Sequence, residues 1–438
     1  MTKEKGIRIG LAGLGTVGQG VWKHLRSRKS ELELCMGTTF SLEKAAVRDL
    51  TKKRGIRISK KVLTDDPMSV AVDPEIDVLC ELMGGTGKAL EVTKAALNAG
   101  KTVVTANKAL LCHHGEKLFQ LAKRKDAHIY FEASVAGGIP IIKALREGLV
   151  VNHFPQIYGI LNGTCNYILT RMEREGKSFA EILTDARKLG YVEADESLDL
   201  DGLDAAHKAV IIAYLAHGKW IPLKKMPVEG IREITLEDIQ WAQRLGFKIK
   251  LLALILRDFE NDHVFASVQP ALVPSEMVLA NVDGVFNAIS VTGDIVGESV
   301  YIGRGAGQDA TASAVVSDVV DAGTAIAHGI MPEEPINRKD LELARPEDVF
   351  RSFYIRLAVK DQPGVLAEVA SILAKNGISI ESVLQRPNGG RNSANLVLTT
   401  HVCSEAAMAA AVRRLKRHKA LMKKPFLLRI ADFAQRLG

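Results

Sequence analysis

Cysteine is scarce here, and none of it stands in a pairing pattern. The five thiols at 35, 80, 112, 165 and 403 are odd in number and show no C-x-x-C spacing. That argues against a disulfide framework or a zinc site and predicts reduced thiols in a cytoplasmic protein. Long apolar runs are missing as well. Stretches such as 251–256 fall far short of the roughly 20 residues that span a bilayer. Residues 1–5 lead straight into a strand, so neither membrane association nor a signal peptide is expected. There is no strong excess of one charge: the net +7 is modest. It suits phosphate-bearing or anionic ligands and does not call for nucleic acid. The one basic run, 413–419, is broken by apolar residues and reads as a solvated helix face. What is present is globular: 438 residues, 47% hydrophobic and 25% charged, room for two or three domains.

The first 134 residues read as α/β. Residues 7–12 form a buried strand, Gly13-Leu14-Gly15-Thr16-Val17-Gly18 a turn, and 16–28 a helix. Strand, glycine turn and helix in that order are the context a dinucleotide-binding fingerprint requires. Gly13 permits the turn, Gly15 lets the backbone approach a pyrophosphate, and Gly18 lets helix and strand close up. Thr16 and Val17 open the helix on which the pyrophosphate would rest. Strands at 45–48, 75–82 (ending at Gly84-Gly85), 101–106 and 127–132, with a helix at 87–98, predict a Rossmann-type doubly wound parallel sheet. If the second strand ends at Arg48, a 2′-phosphate and hence NADP is favoured; Asp49 follows, so NAD stays open.

Beyond 135 the rhythm becomes α+β. A strand at 153–161 precedes helices near 166–175, 178–189 and 201–217, then strands near 247–257, 263–272 and 284–303. This predicts a second, α+β domain over 135–305. A second glycine turn at 303–312, including Gly305, opens a helix that completes the first domain over 306–330. Residues 331–350, proline-rich and charged, read as a linker. The rest, 351–433, reads as a separate βαββαβ, ferredoxin-like unit.

The run 199–208 places carboxylates at Asp199, Asp201 and Asp204 and an amine at Lys208. Asp204 and Lys208 share a helix face, and 209–213 is apolar, so Lys208 sits at the edge of a buried segment. A desolvated lysine beside a carboxylate can move protons near neutrality, although the same spacing also serves an ordinary helix salt bridge. His207 points to another face and reads as structural.

These motifs together resemble the homoserine dehydrogenases that carry a C-terminal ACT domain. The resemblance spans essentially the whole chain. It rests on 13–18, Thr105-Ala106-Asn107-Lys108, 132–140, 190–195, 201–208 and the 303–312 turn, and in the tail on Asp361-Gln362-Pro363-Gly364-Val365-Leu366. It implies NAD(P)-dependent interconversion of L-aspartate 4-semialdehyde and L-homoserine, within threonine, methionine and isoleucine biosynthesis. It makes Lys208 the acid/base, Lys108 a bridge between nicotinamide and substrate, and Asp204 a positioning carboxylate. Glu193 would hold the substrate α-ammonium, with Asp199, Gly190 and Tyr191 in the same region. The cofactor would contact Gly13, Gly15, Thr16, Val17, Gly18, Arg48, Gly85, Lys108 and Gly305. A sodium ion would sit on the backbone carbonyls of Glu132, Val135, Gly137 and Ile139. Asp361, Gln362, Pro363 and Gly364 would receive an amino-acid effector, with threonine, the end product, expected to inhibit. A homodimer or homotetramer is expected.

Arg304 and Ala310 replace prolines usual in the family, and Cys165 stands in the run Gly163-Thr164-Cys165-Asn166, where the family has threonine. Cys165 keeps a rival open, a thiolate-dependent semialdehyde dehydrogenase, since a cysteine opening a helix is expected to have a lowered pKa. A cofactor-binding sensor without turnover is a second alternative.

Overall fold

The computed structural model describes residues 6–188, 196–330, 338, 340–387, 392–431 and 436–437. The chain divides into two compact units. One comprises 1–152, 207–225 and 301–338; the other comprises 153–206, 226–300 and 339–438.

In the first unit, strands β1 (Ile7–Ala12), β2 (Phe40–Ala46), β3 (Leu63–Thr64), β4 (Val78–Glu81), β5 (Thr102–Thr105) and β6 (Ile129–Tyr130) form one sheet in the order β3-β2-β1-β4-β5-β6. All its pairings are parallel. This is the doubly wound arrangement, whose order reverses beside β1 and so opens a crevice at the strand ends. Helices α1 (Thr16–Ser27), α2 (Lys29–Met36), α3 (Pro67–Ala71), α4 (Lys88–Asn98), α5 (Lys108–Arg124) and the short α6 (Ile141–Lys143) accompany it. In α1, Gly18, Val21, Trp22 and Leu25 recur at helical spacing and are buried. The 21-residue helix Gln308–His328 is long and apolar enough to cross a membrane by length and composition only. Its Ala312, Val315, Val316, Val319 and Ala322 instead belong to the core that also holds Ile9, Leu11, Val78 and Val104.

Several sequence readings shift here. The second strand begins at Phe40 and ends at Ala46, so Arg48 lies in the following loop. The strand predicted over 127–132 is only Ile129–Tyr130; Glu132 opens a 3-10 turn, Glu132–Ser134. Lys108 begins the 17-residue α5, which the pattern reading left out.

The second unit contains β7 (Gln156–Ile160), α7 (Gly163–Glu175), α8 (Phe179–Lys188), α9 (Ser197–Leu200), the start of α10 (Leu203–His217), α11 (Leu236–Arg244), β8 (Phe247–Asp258), β9 (His263–Pro274) and β10 (Phe286–Gly293). The predicted strand 284–303 is a hairpin, since β11 (Gly297–Arg304) follows β10 after a turn. The helix Gln308–His328 is α12 in chain order. The tail supplies β12 (Glu342–Leu343), β13 (Val349–Lys360), α13 (Val365–Ala374), β14 (Ile380–Pro387), β15 (Ser393–Thr400), β16 (Cys403–Ser404), α14 (Glu405–Leu415), β17 (Phe426–Ile430) and β18 (Arg436–Leu437).

The βαββαβ tail is present, but it is not separate. Its last strand, β17, pairs in parallel with β9, so one sheet runs β10-β7-β8-β9-β17-β13-β15-β14. Val349 and Ala431 join a core with Tyr158, Leu252, Phe265 and Val273. The described part of the expected linker is also folded, with β12 paired to β9. An open edge on β9 would be a liability, and β17 covers it.

Candidate active site

The glycine turn after β1 has the shape a pyrophosphate needs. Gly13 has φ +108°, and a Cβ there would lie 2.6 Å from the Leu82 carbonyl oxygen. A Cβ on Gly18 would lie 2.3 Å from the Gly13 carbonyl oxygen, whereas Gly15 faces open space. Gly15 caps α1 without a side-chain acceptor, so the first-turn amides at Thr16 and Val17 are left for a ligand. Gln308 donates from Nε2 to the Thr16 carbonyl at 2.9 Å and ties the start of α12 to the start of α1. A Cβ on Gly20 would come within 2.9 Å of Ala312 Cβ, a close approach the sequence reading did not single out. Beyond β4, Gly84 and Gly85 both have φ +73° and open surroundings. These features fit a dinucleotide.

At the end of β2, Arg48 is exposed. The Asp49 carboxylate is turned onto its own loop, accepting from the Thr51 hydroxyl (2.6 Å) and the amides of Thr51 (2.7 Å) and Lys52 (3.2 Å). Those bonds, the Thr51 hydroxyl foremost, hold its carboxyl below the usual range. Arg54 donates to the carbonyls of Asp49 and Lys52.

Lys108 is the first residue of α5, behind the N-cap Asn107. Lys208 lies on α10 and is 8% exposed, like His207 before it. The rings of His113 and His207 meet edge to face at 5.2 Å, and Phe119 meets Tyr214 at 5.4 Å, so α5 and this part of α10 are neighbours. A Cβ on Gly115 would strike Trp220 at 2.2 Å, which explains a glycine in mid-helix.

Asp204 sits one turn before Lys208 on the same helix. Asn162, absent from the sequence reading, gathers the nearby acids. It caps α7 through Oδ1, accepting the Cys165 amide at 2.8 Å. Its Nδ2 donates to Asp199 Oδ1 (2.7 Å) and Asp204 Oδ2 (2.9 Å). Gly190, Tyr191 and Glu193 lie outside the described residues. Cys165 is fully buried, and its thiol donates to the Asp199 carbonyl at 3.2 Å. Burial first, then Asp199, Asp204 and Asp201, push this thiol well above its ordinary value. The expected lowering is therefore overturned: neighbouring carboxylates and burial outweigh the helix start, and the thiolate the rival mechanism needs is disfavoured.

The segment after β6 turns sharply, with Ala136 at φ +53° and Gly137 at +57°. A Cβ on Gly137 would meet the Gly305 carbonyl at 2.5 Å, and the Gly138 amide donates to the Arg304 carbonyl at 3.0 Å. Glu132 spends its carboxylate on the amides of Ile142 and Lys143, each at 2.9 Å. Of the four carbonyls expected at sodium, that of Glu132 accepts the Val135 amide (3.4 Å) and that of Ile139 accepts the Ile141 amide (2.8 Å). A second lone pair remains on each for a hard cation. Ala310 is the near neighbour of Gly138, 3.2 Å from where its Cβ would stand.

In the tail, Asp361, Gln362, Pro363 and Gly364 all line a cavity of about 440 Å³ beside Gln385. Gly364 caps α13 with φ +91°, and Gln385 Nε2 donates to Asp361 Oδ1 at 3.0 Å.

Comparison with known proteins adds an independent finding. Residues 13–132 match the family model "Homoserine dehydrogenase, NAD binding domain", 140–320 match "Homoserine dehydrogenase", and 353–420 match "ACT domain". Similar proteins include the homoserine dehydrogenase of Helicobacter pylori, 40% identical over 98% of this chain and 100% of that one. The Neisseria gonorrhoeae homoserine dehydrogenase is 39% identical over 94% and 95%. A solved homoserine dehydrogenase from Thiobacillus denitrificans superposes with a TM-score of 0.92 at 40% identity, covering 97% of this chain and 98% of that one. A hyperthermophilic archaeal homoserine dehydrogenase in complex with NADPH gives 0.61 at 28% identity, over 72% and 97%.

Proposed function

Since the chain belongs to the homoserine dehydrogenase family, an NAD(P)-dependent oxidoreductase family, we propose a residue-by-residue account of how it interconverts L-aspartate 4-semialdehyde and L-homoserine. The bound nicotinamide supplies or takes the hydride. In the reductive direction the Lys208 ammonium faces the oxygen that becomes an alkoxide, stabilises its charge and gives it the proton. In the oxidative direction the same nitrogen takes that proton back. Asp204 positions the substrate and Lys208; Glu193, supported by Asp199, holds the α-ammonium, and Gly190 and Tyr191 bind substrate. Lys108 bridges cofactor and substrate.

The cofactor rests on Gly13, Gly15, Thr16, Val17 and Gly18, with Gly85, Lys108 and Gly305 around it. NADP is the preferred form: the exposed Arg48 meets a 2′-phosphate, while Asp49 is committed to its own loop. The carbonyls of Glu132, Val135, Gly137 and Ile139 hold a sodium ion. The tail cavity takes threonine, its carboxylate at the start of α13. The protein works in the cytoplasm as a homodimer or homotetramer.

The observation that carries this reading is the placement of Lys208 at 8% exposure on a helix shared with Asp204, beside the helix that begins with Lys108. The test is NADPH oxidation with L-aspartate 4-semialdehyde. Wild type turns over, and Lys208→Ala loses about 10²–10⁴-fold in kcat. Undiminished turnover in Lys208→Ala would refute the assignment.

A further inference from the structure

Glu81 is the last residue of β4 and is wholly buried. A buried carboxyl at the end of a central strand needs a reason, because removing it from water is costly unless donors surround it. Its Oε2 accepts from the Thr105 hydroxyl at 2.8 Å, and its Oε1 accepts from the Met83 amide at 2.9 Å. Burial pushes this carboxyl up; the Met83, Thr105, Asn107 and Gly84 donors pull it back. All four are neutral groups, so among the described residues this is a hydrogen-bond hub and not one half of an ion pair.

The hub reaches both rims of the crevice. Thr105 Oγ1, having donated to Glu81, accepts the Asn107 amide at 3.0 Å. Asn107 then donates from Nδ2 to the Gly85 carbonyl at 2.8 Å and accepts the Leu110 amide on Oδ1 at 3.1 Å, capping α5. One rim is therefore the 82–87 turn, where two consecutive left-handed glycines give the backbone little stiffness of its own. The other is the first turn of α5, which starts with Lys108. Cofactors of doubly wound sheets sit at these strand ends.

We propose that Glu81 is a positioning residue for the reaction, fixing the glycine turn and the Lys108 end of α5 in one register so that the nicotinamide end of the cofactor and the lysine are held together. For Lys108 this rests on the function proposed above; for the turn it does not.

The test uses the full chain and two variants. Glu81→Gln keeps the volume and, with its carbonyl on the Met83 N–H, turns an amide towards Thr105 Oγ1, so the Thr105 hydroxyl loses the acceptor it donates to. Thr105→Val keeps the shape and cuts the relay between Glu81 and Asn107. NADPH affinity is measured without substrate, by the change in NADPH fluorescence on binding, and folding is checked by melting temperature. In folded protein, each variant should raise the NADPH Kd roughly tenfold, the size of one or two lost buried hydrogen bonds. The double variant should be little worse than either single one. kcat should fall while the KM for L-homoserine stays close to wild type, and on a Lys108→Ala background the kcat effect of Glu81→Gln should vanish while the Kd effect remains. A folded Glu81→Gln protein with wild-type NADPH Kd, or effects of the two variants that simply add, would overturn the proposal. Wild type that binds NADPH yet never turns over would instead refute the function reading and leave the Kd comparison standing.

Discussion

Arg356 lays its guanidinium along the fully buried carboxylate of Asp238, with Nε 2.6 Å from Oδ1 and a terminal nitrogen 3.2 Å from Oδ2. Arg356 belongs to β13 of the tail, and Asp238 closes the capping box at the start of α11 with Thr235. A second joint lies nearby: Arg429 of β17 grips Glu229 at 2.8 Å and Glu405 at 3.0 Å. The tail that matches the ACT domain is thus built into the sheet of the second unit by strand pairing and by ion pairs.

Arg356→Ala should therefore destabilise the protein by about 3–5 kcal/mol, since it strands a buried charge. Chemical denaturation reads this directly. Removing 351–438 should do worse, exposing the β9 edge and giving insoluble protein. Threonine sensing is better probed by Gln385→Ala, which removes the donor to Asp361 and should raise the threonine concentration needed for half-inhibition. An unchanged response in Gln385→Ala would argue against the tail cavity as the effector site.

Cys165→Ala should retain turnover, because the thiol is buried, protonated and only donates to a carbonyl. Thiol labelling of native protein should mark the exposed Cys35 quickly, and Cys80, Cys165 and Cys403 only after unfolding. Rapid loss of activity tracking modification of Cys165 would revive the thiolate mechanism.

The features legible in the sequence were those whose physics is local. Glycines 13, 15 and 18, the Asp204–Lys208 spacing and the βαββαβ order each follow from neighbours a few residues apart. Asn162 was invisible for the opposite reason: it acts on carboxylates 37 and 42 residues away. Helix α5 escaped notice, with Gly115 in its middle, a residue that weakens a helix; only Trp220, about a hundred residues on, explains it. The fusion of the tail sheet with β9 was equally hidden, since a proline-rich stretch reads as a boundary whatever the strands beyond it pair with.

Asn162→Leu strips the donor shared by Asp199 and Asp204 and the N-cap of α7 together. Two carboxylates then face each other without that bridge. We expect the KM for L-homoserine to rise roughly tenfold or more, with NADPH affinity unchanged. An equal loss in both would indicate a general folding defect.

Arg48→Ala should raise the KM for NADPH roughly tenfold and leave that for NADH nearly unaltered, because only the 2′-phosphate would use the guanidinium. Steady-state kinetics with both cofactors decides it. Equal effects on the two would remove Arg48 from the specificity role.

The buried acid Asp318 makes a prediction about pH. It accepts the Glu132 amide at 2.8 Å, and burial, then the Glu132 charge, hold its carboxyl well above the ordinary value. A native-state value above the unfolded one means the folded protein keeps a proton that the unfolded chain releases. The resulting stability is fully present below the unfolded value and is lost as pH rises through the folded one. Asp318→Asn keeps an acceptor for the Glu132 amide and cannot ionise. Its melting temperature relative to wild type should therefore climb from acidic to neutral and alkaline pH, the reverse of what removing a salt-bridged aspartate does. A difference that is flat or falls with pH would show that Asp318 ionises in the folded protein as easily as in the unfolded chain.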